Sequence, residues 1–179
     1  CAQALAPAAV STEPLIHNGQ TVAGPGGQPT VTPEDRGDIG AHGFWNRGQT
    51  TVFDIRVTDT DAPSNRSQDP AKVLARHEKL KKDKYLEACL ARRRHFTPLV
   101  FSVDGMRGKE TTAAGKRLAV LLAEKWKRPY SDVCGYVRSR LSIALARSAS
   151  QCLRGSRDPT ARAGHPEWDS GTGLGLYRA

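Results

Sequence analysis

Two aspartates are the residues here whose type and spacing suit chemistry. Asp38 lies in Arg36-Gly37-Asp38-Ile39, and Asp54 lies inside the β-branched and aromatic run Thr50–Thr58, TTVFDIRVT. Alternation along an extended strand sends Val52, Asp54 and Arg56 to one face and Phe53, Ile55 and Val57 to the other. An acid placed mid-strand among apolar neighbours is costly unless something compensates it. A divalent cation shared with Asp38 would do so, because carboxylates on adjacent strands, completed by water and substrate phosphate, suit Mg²⁺. The same spacing also fits a hairpin whose polar face looks at water, with Arg56 as a local partner for Asp54. Spacing alone leaves both readings open.

The elements that would position these residues are legible in outline. At 179 residues and 19.4 kDa the chain is one domain with tails, long enough to bury a core. Its hydrophobic share of 38% lies below the globular norm, so part of it is expected not to pack. Residues 1–9 read as the last turns of a truncated helix. Residues 10–16 and 20–23 are expected to pair as a hairpin through Asn18-Gly19, a strong short turn signal. Two strands follow, meeting at the Gly48-Gln49 corner. Asp69-Pro70 supplies an N-cap with proline at the first helical position, opening a helix over 71–92. The run 97–103, TPLVFSV, is apolar on both faces and predicts a buried strand.

Two further helices are expected at 111–126 and 130–153. The first carries Leu118, Leu121, Leu122 and Trp126 on its stripe. The second turns Val133, Val137, Leu141, Ala144, Leu145 and Ala149 inward and Arg138, Arg140, Arg147 and Arg154 outward. Gly155 stops it, and 156–179 reads as a disordered tail. Order and pattern together predict an α/β (α+β) fold: a central mixed sheet flanked by helices, occupying 10–155.

Lys and Arg outnumber Asp and Glu 27 to 18, and the pI is near 9.7, which favours a polyanionic partner, nucleic acid first. The surplus is uneven. Residues 72–94 hold nine basic residues against Glu78, Asp83 and Glu87, hence six of the nine net charges. Phosphate contacts are expected from Arg56, Lys72, Arg76, Lys79, Lys82, Arg92, Arg93 and Arg94, with ordinary solvated helix as the other reading. Cys1, Cys89, Cys134 and Cys152 include no CxxC pair and no zinc spacing, so no metal-thiolate site is expected. On one helix Cys134 and Cys152 would stand ~27 Å apart and could not bridge. A reduced, intracellular protein fits this usage. No apolar run approaches the ~20 residues of a membrane span. Residues 1–10 lack a basic start and an initiator Met, and read as a cut end.

Several smaller features complete the ordered set. Glu13-Pro14 precedes the expected hairpin, Lys81-x-x-Lys84-Tyr85 sits on the lysine helix, and Phe96-Thr97-Pro98-Leu99-Val100-Phe101-Ser102 precedes Gly105. With Arg36–Ile39 and Val52–Val57, these residues resemble the restriction-endonuclease-like domain (PD-(D/E)XK superfamily) at the C-terminal end of site-specific non-LTR retrotransposon polyproteins. The likeness is closest to degenerate genomic copies and covers roughly 12–155. It implies a restriction-endonuclease-like fold and a Mg²⁺- or Mn²⁺-dependent DNA endonuclease that nicks target DNA so that a reverse transcriptase can prime on the exposed 3′-OH.

The resemblance also implies roles for particular residues. Asp38 and Asp54 would be metal ligands, Lys81 or Lys84 would orient or deprotonate the attacking water, and Tyr85 would support it. DNA and a reverse transcriptase domain of the same polyprotein are the implied partners, in the nucleus, with no membrane and no small-molecule cofactor. The alternative is a non-catalytic basic module that binds nucleic acid. The sequence departs from the family pattern in three places. Gly37 stands where proline is usual, Arg56 stands where lysine is common and cannot act as a base, and the first core helix is mostly absent. Glu13 is read as a loop carboxylate or a third ligand, His42 as a surface histidine or an aid to the water. Phe44 and Trp45 are expected to cover the sheet edge or stack on bases, and Trp126 and Tyr136 to lie in the core.

Overall fold

The computed structural model describes residues 4–17, 19, 21–23, 29–31 and 34–155. Its centre is a four-stranded mixed sheet of β1 (Val10–Thr12), β6 (Ile39–His42), β7 (Thr50–Thr58) and β8 (His95–Ser102), in the order β1-β6-β7-β8. The first three are antiparallel neighbours, whereas β7 and β8 are parallel. Parallel strands need a long crossover, and α1 (Pro70–Ala91) supplies it. Two small ribbons pair β2 (Leu15–His17) with β5 (Asp35–Arg36) and β3 (Thr21–Ala23) with β4 (Pro29–Val31).

This corrects the expected hairpin. Asn18-Gly19 joins β2 to β3, which do not pair with each other. The β3–β4 ribbon lies nested within the β2–β5 pair, so longer-range pairing overrides the local turn signal. At the chain start, Pro7–Ala9 is a single 3-10 turn where helix was expected. Proline lacks the N–H that a continuing helix needs.

The helices form where local chemistry predicts them. Asp69 Oδ1 accepts from Ala71 N at 2.8 Å, capping α1 ahead of Pro70. Helix α2 (Lys109–Trp126) starts after Gly108, and α3 (Tyr130–Gly155) follows Pro129. One sheet face packs Val52 and Phe96 against Tyr85 and Cys89 of α1, with Ile16. The other packs Phe53, Ala41 and Phe44 against Ala114 of α2. Beyond it, Ala119 and Leu122 of α2 meet Val133 and Val137 of α3. Each fully buried large apolar side chain contributes about 1.5–3 kcal/mol, so these layers fix α1 and α2 against opposite faces of β7.

Phe44 and Trp45 are not an open edge. Phe44 is buried and meets Phe53 edge-on at 4.9 Å, and Trp45 Nε1 donates to Thr97 Oγ1 at 2.9 Å. Trp126 and Tyr136 are instead exposed, 38% and 39%, and touch each other edge-on at 5.3 Å, which corrects their expected place in the core. Ala144 of α3 is likewise exposed. The chain divides into two compact units, Cys1–Ala146 and Arg147–Ala179, and the sheet belongs to the first. The expected tail at 156–179 lies outside the described residues. No helix among the described residues is long and apolar enough to cross a membrane.

Candidate active site

The antiparallel register of β6 and β7 pairs Ile39 with Phe53. Asp38, one residue earlier, and Asp54, one residue later, therefore fall side by side on neighbouring strands. At Asp38 the chain turns out of β6, and the residue closes the ladder. Its N–H donates to the Phe53 carbonyl at 2.9 Å, and its Oδ2 accepts from Ile55 N at 2.5 Å. A carboxylate can accept further bonds, so Asp38 retains coordinating capacity. Glu13, in the left-handed region at φ 49°, donates its N–H to the Asp38 carbonyl at 3.1 Å and keeps an exposed side chain.

The glycine before Asp38 is required by the packing. A Cβ on Gly37 would overlap Val52 Cγ1 and lie 3.1 Å from the Phe53 carbonyl oxygen. Gly37 N also donates to the Pro14 carbonyl at 2.9 Å, a bond that proline could not make. Glycine rather than proline before Asp38 is thus built into the approach of this strand.

Asp54 is 6% exposed, and its Oδ2 is buried. Lys81 Nζ lies 2.5 Å from that oxygen as an ion pair. Burial raises the Asp54 pKa above its ordinary 3.8, Lys81 opposes the shift, and the Asp38 charge adds to it. The expected local partner, Arg56, is exposed and does not pair with Asp54. The counter-charge comes from α1, 27 residues along the chain.

Helix α1 aims three side chains along β7 at four-residue spacing. His77 Nε2 meets Thr58 Oγ1 at 3.3 Å, Lys81 meets Asp54, and Tyr85 packs in the cluster of Val52 and Phe96. Burial, then Arg56 and Arg76, lower the His77 pKa. Lys84 takes a separate course. It donates to Tyr85 Oη at 2.8 Å and to Asp35 Oδ1 at 3.1 Å. The Tyr85 bond raises the Lys84 pKa, with burial opposing and Asp35 adding. Lys84 is therefore held charged, suited to hold an anion and unsuited to take a proton from water.

The basic residues of 72–94 do not share one face. At 100° per residue, Lys72, Arg76 and Lys79 cluster about half a turn away from Lys81, and all three are exposed. Arg76 is committed to Asn65 Oδ1 (2.9 Å) and Gln68 Oε1 (3.0 Å), and Lys82 is paired with Glu110. Arg94 donates to the Leu15 carbonyl at 2.6 Å and Arg92 to the same oxygen at 3.5 Å, fastening β2 to the end of α1. Lys72, Lys79 and Arg93 are exposed, with no such tie among the described residues. His42 bonds Thr50 at the far end of β6, four residues from Asp38, which is too distant to assist there.

Residues the sequence reading passed over complete the surroundings. Asp35 pairs with His17 at 3.0 Å as well as with Lys84. Glu78 is buried and its Oε1 accepts from Glu110 N at 3.0 Å, capping α2 from another helix. Only the offset of 77, 78 and 81 from the exposed residues 72, 76 and 79 hinted at this inward stripe. No family model, curated protein or solved structure matches the chain.

The donor set fits a hard divalent ion. Asp54 offers a buried carboxylate beside Asp38, its Oδ2 now facing the Lys81 ammonium, and Mg²⁺ is commonly held by one or two carboxylates with water and phosphate completing its shell. Among the described residues no third acid, histidine or cysteine joins them.

Proposed function

We propose that this chain is a Mg²⁺-dependent DNA endonuclease domain of the non-LTR retroelement type, with a restriction-endonuclease-like fold, nicking nuclear target DNA for an attached reverse transcriptase. The observation that carries the reading is Asp54. It is an acid buried at mid-strand beside Asp38 and faced by Lys81, where an apolar residue would cost far less. A Mg²⁺ held by Asp38 and Asp54 would activate water and neutralise the charge that develops at the scissile phosphate.

The protein's own side chains divide the remaining work. Lys81 brings a cation to the Asp54 carboxylate, where it can orient a phosphate oxygen or a water. Lys84, kept charged by Tyr85 and Asp35, supplies a second fixed cation. Tyr85 holds that ammonium 4.5 Å from its ring centroid and so acts through it. Arg56, two residues beyond Asp54 and exposed, can hold phosphate but cannot exchange a proton.

The same ion pair favours a second reading. Lys81 already offsets part of the Asp54 charge, so a decayed copy could keep its fold as a non-catalytic nucleic-acid-binding module. A plasmid assay separates the two. Supercoiled DNA incubated with Mg²⁺ should be nicked by the wild-type chain, with loss of at least about a hundredfold in Asp54→Ala. Equal nicking by Asp54→Ala, or none by either, leaves the binder.

A further inference from the structure

On the side of the sheet away from Asp54, α2, α3 and the turn after β8 enclose a cavity of about 320 Å³. That volume lies at the lower end of the range for small-ligand sites. Three cationic side chains line it, Arg107 from the turn, Lys116 from α2 and Arg138 from α3, and no acidic residue does. None of the three has an ion pair or side-chain hydrogen bond among the described residues. Like charges gathered around one opening repel one another unless an anion lies between them. Thr112 adds a hydroxyl donor to the wall, four residues before Lys116 and therefore on the same helical face.

The wall is also kept open. Gly115 sits inside α2, where glycine disfavours the helix relative to alanine. A Cβ built there meets nothing within 4 Å, so packing does not require the glycine. It leaves the α2 side of the cavity clear between Thr112 and Lys116. Nothing in the site at Asp54 uses any of these residues.

We infer that this cavity is a second anion site, taking a phosphate group between Arg107, Lys116 and Arg138. The two guanidinium forks match phosphate oxygens in pairs, and the lysine adds a point charge. The group would be either a free phosphate compound or a phosphate of a nucleic-acid backbone. The site stands independently of whether Asp54 supports nicking.

The test is calorimetric titration of the full chain with inorganic pyrophosphate in EDTA, at constant ionic strength, with chloride as control. Saturable binding of one equivalent is expected, weakened about tenfold or more in Arg138→Gln and in Lys116→Gln. Both side chains are exposed, so the variants should melt with the wild type in chloride. As an independent readout, bound pyrophosphate should slow alkylation of Cys134, which lines the same cavity, by N-ethylmaleimide in a peptide-resolved assay. A short DNA duplex separates the sources. Pyrophosphate displacing DNA in an Arg138-dependent manner identifies a backbone phosphate, and pyrophosphate binding without displacement identifies a free phosphate compound. A response matched by chloride, or affinity unchanged in both Gln variants, overturns the site. Asp54→Ala should bind pyrophosphate like the wild type, so failure of the nuclease reading would not imitate failure here.

Discussion

At the scale of single residues, the cost of holding Asp54 ionised works against folding. Its pKa is raised by burial above 3.8, beyond what Lys81 offsets. A raised carboxylate contributes stability that is fully present below the unfolded pKa and is lost as pH rises through the folded pKa. Asp54→Asn removes that loss. In EDTA, the melting temperature of Asp54→Asn relative to wild type should therefore climb as pH rises from 4, then level off above the folded pKa. Thermal melts across pH check this, and a constant or falling difference would contradict the assigned direction. Such a penalty at one position is what a functional carboxylate imposes on a fold. The type and strand setting of Asp54 were legible in the sequence because period-two alternation is local. Its partner was not, because choosing Lys81 over Arg56 depends on how α1 lies across β7.

At the scale of elements, the junction of α1 and α2 depends on one buried acid. The α2 N-cap is Gly108, which has no side chain to bond the first amides, and Glu78 of α1 supplies the oxygen instead. A Cβ on Gly108 would overlap that carboxylate. Glu78→Ala should cost about 1–2 kcal/mol of stability, in the range of lost caps, with Glu78→Gln retaining part of it. Gly108→Ala should cost a similar amount by displacing Glu78. Urea unfolding measures all three, and an unchanged midpoint in Glu78→Ala would remove the cap assignment. Here too the sequence was partly readable. Asp69-Pro70 announced α1 because a cap and its helix are adjacent, and the run 97–103 announced β8 because a strand buried on both faces is apolar throughout. The cap from Glu78 and the β2–β5 pairing were hidden, since each joins residues far apart in sequence. The Asn18-Gly19 signal carried no information on which strands would meet.

At the scale of the whole molecule, net charge of +9 overstates the surface available to a polyanion. Lys82, Arg76 and Arg94 bond the protein itself, whereas Lys72, Lys79 and Arg93 face outward. Each cation that neutralises a duplex phosphate adds about 0.9 to the slope of log affinity against log salt. Lys79→Gln should lower that slope by about one, and Lys82→Gln should leave it unchanged while lowering stability. Anisotropy titrations over a salt series check both, and equal slopes for Lys79→Gln and wild type would exclude α1's outer face from the contact. On the proposed function, Asp38 and Asp54 together hold one divalent ion. Titration with Mn²⁺ followed by electron paramagnetic resonance tests it most directly. One bound ion per chain is expected, lost in Asp38→Asn and in Asp54→Asn alike. No uptake by the wild type, or uptake unaffected by either substitution, would contradict it.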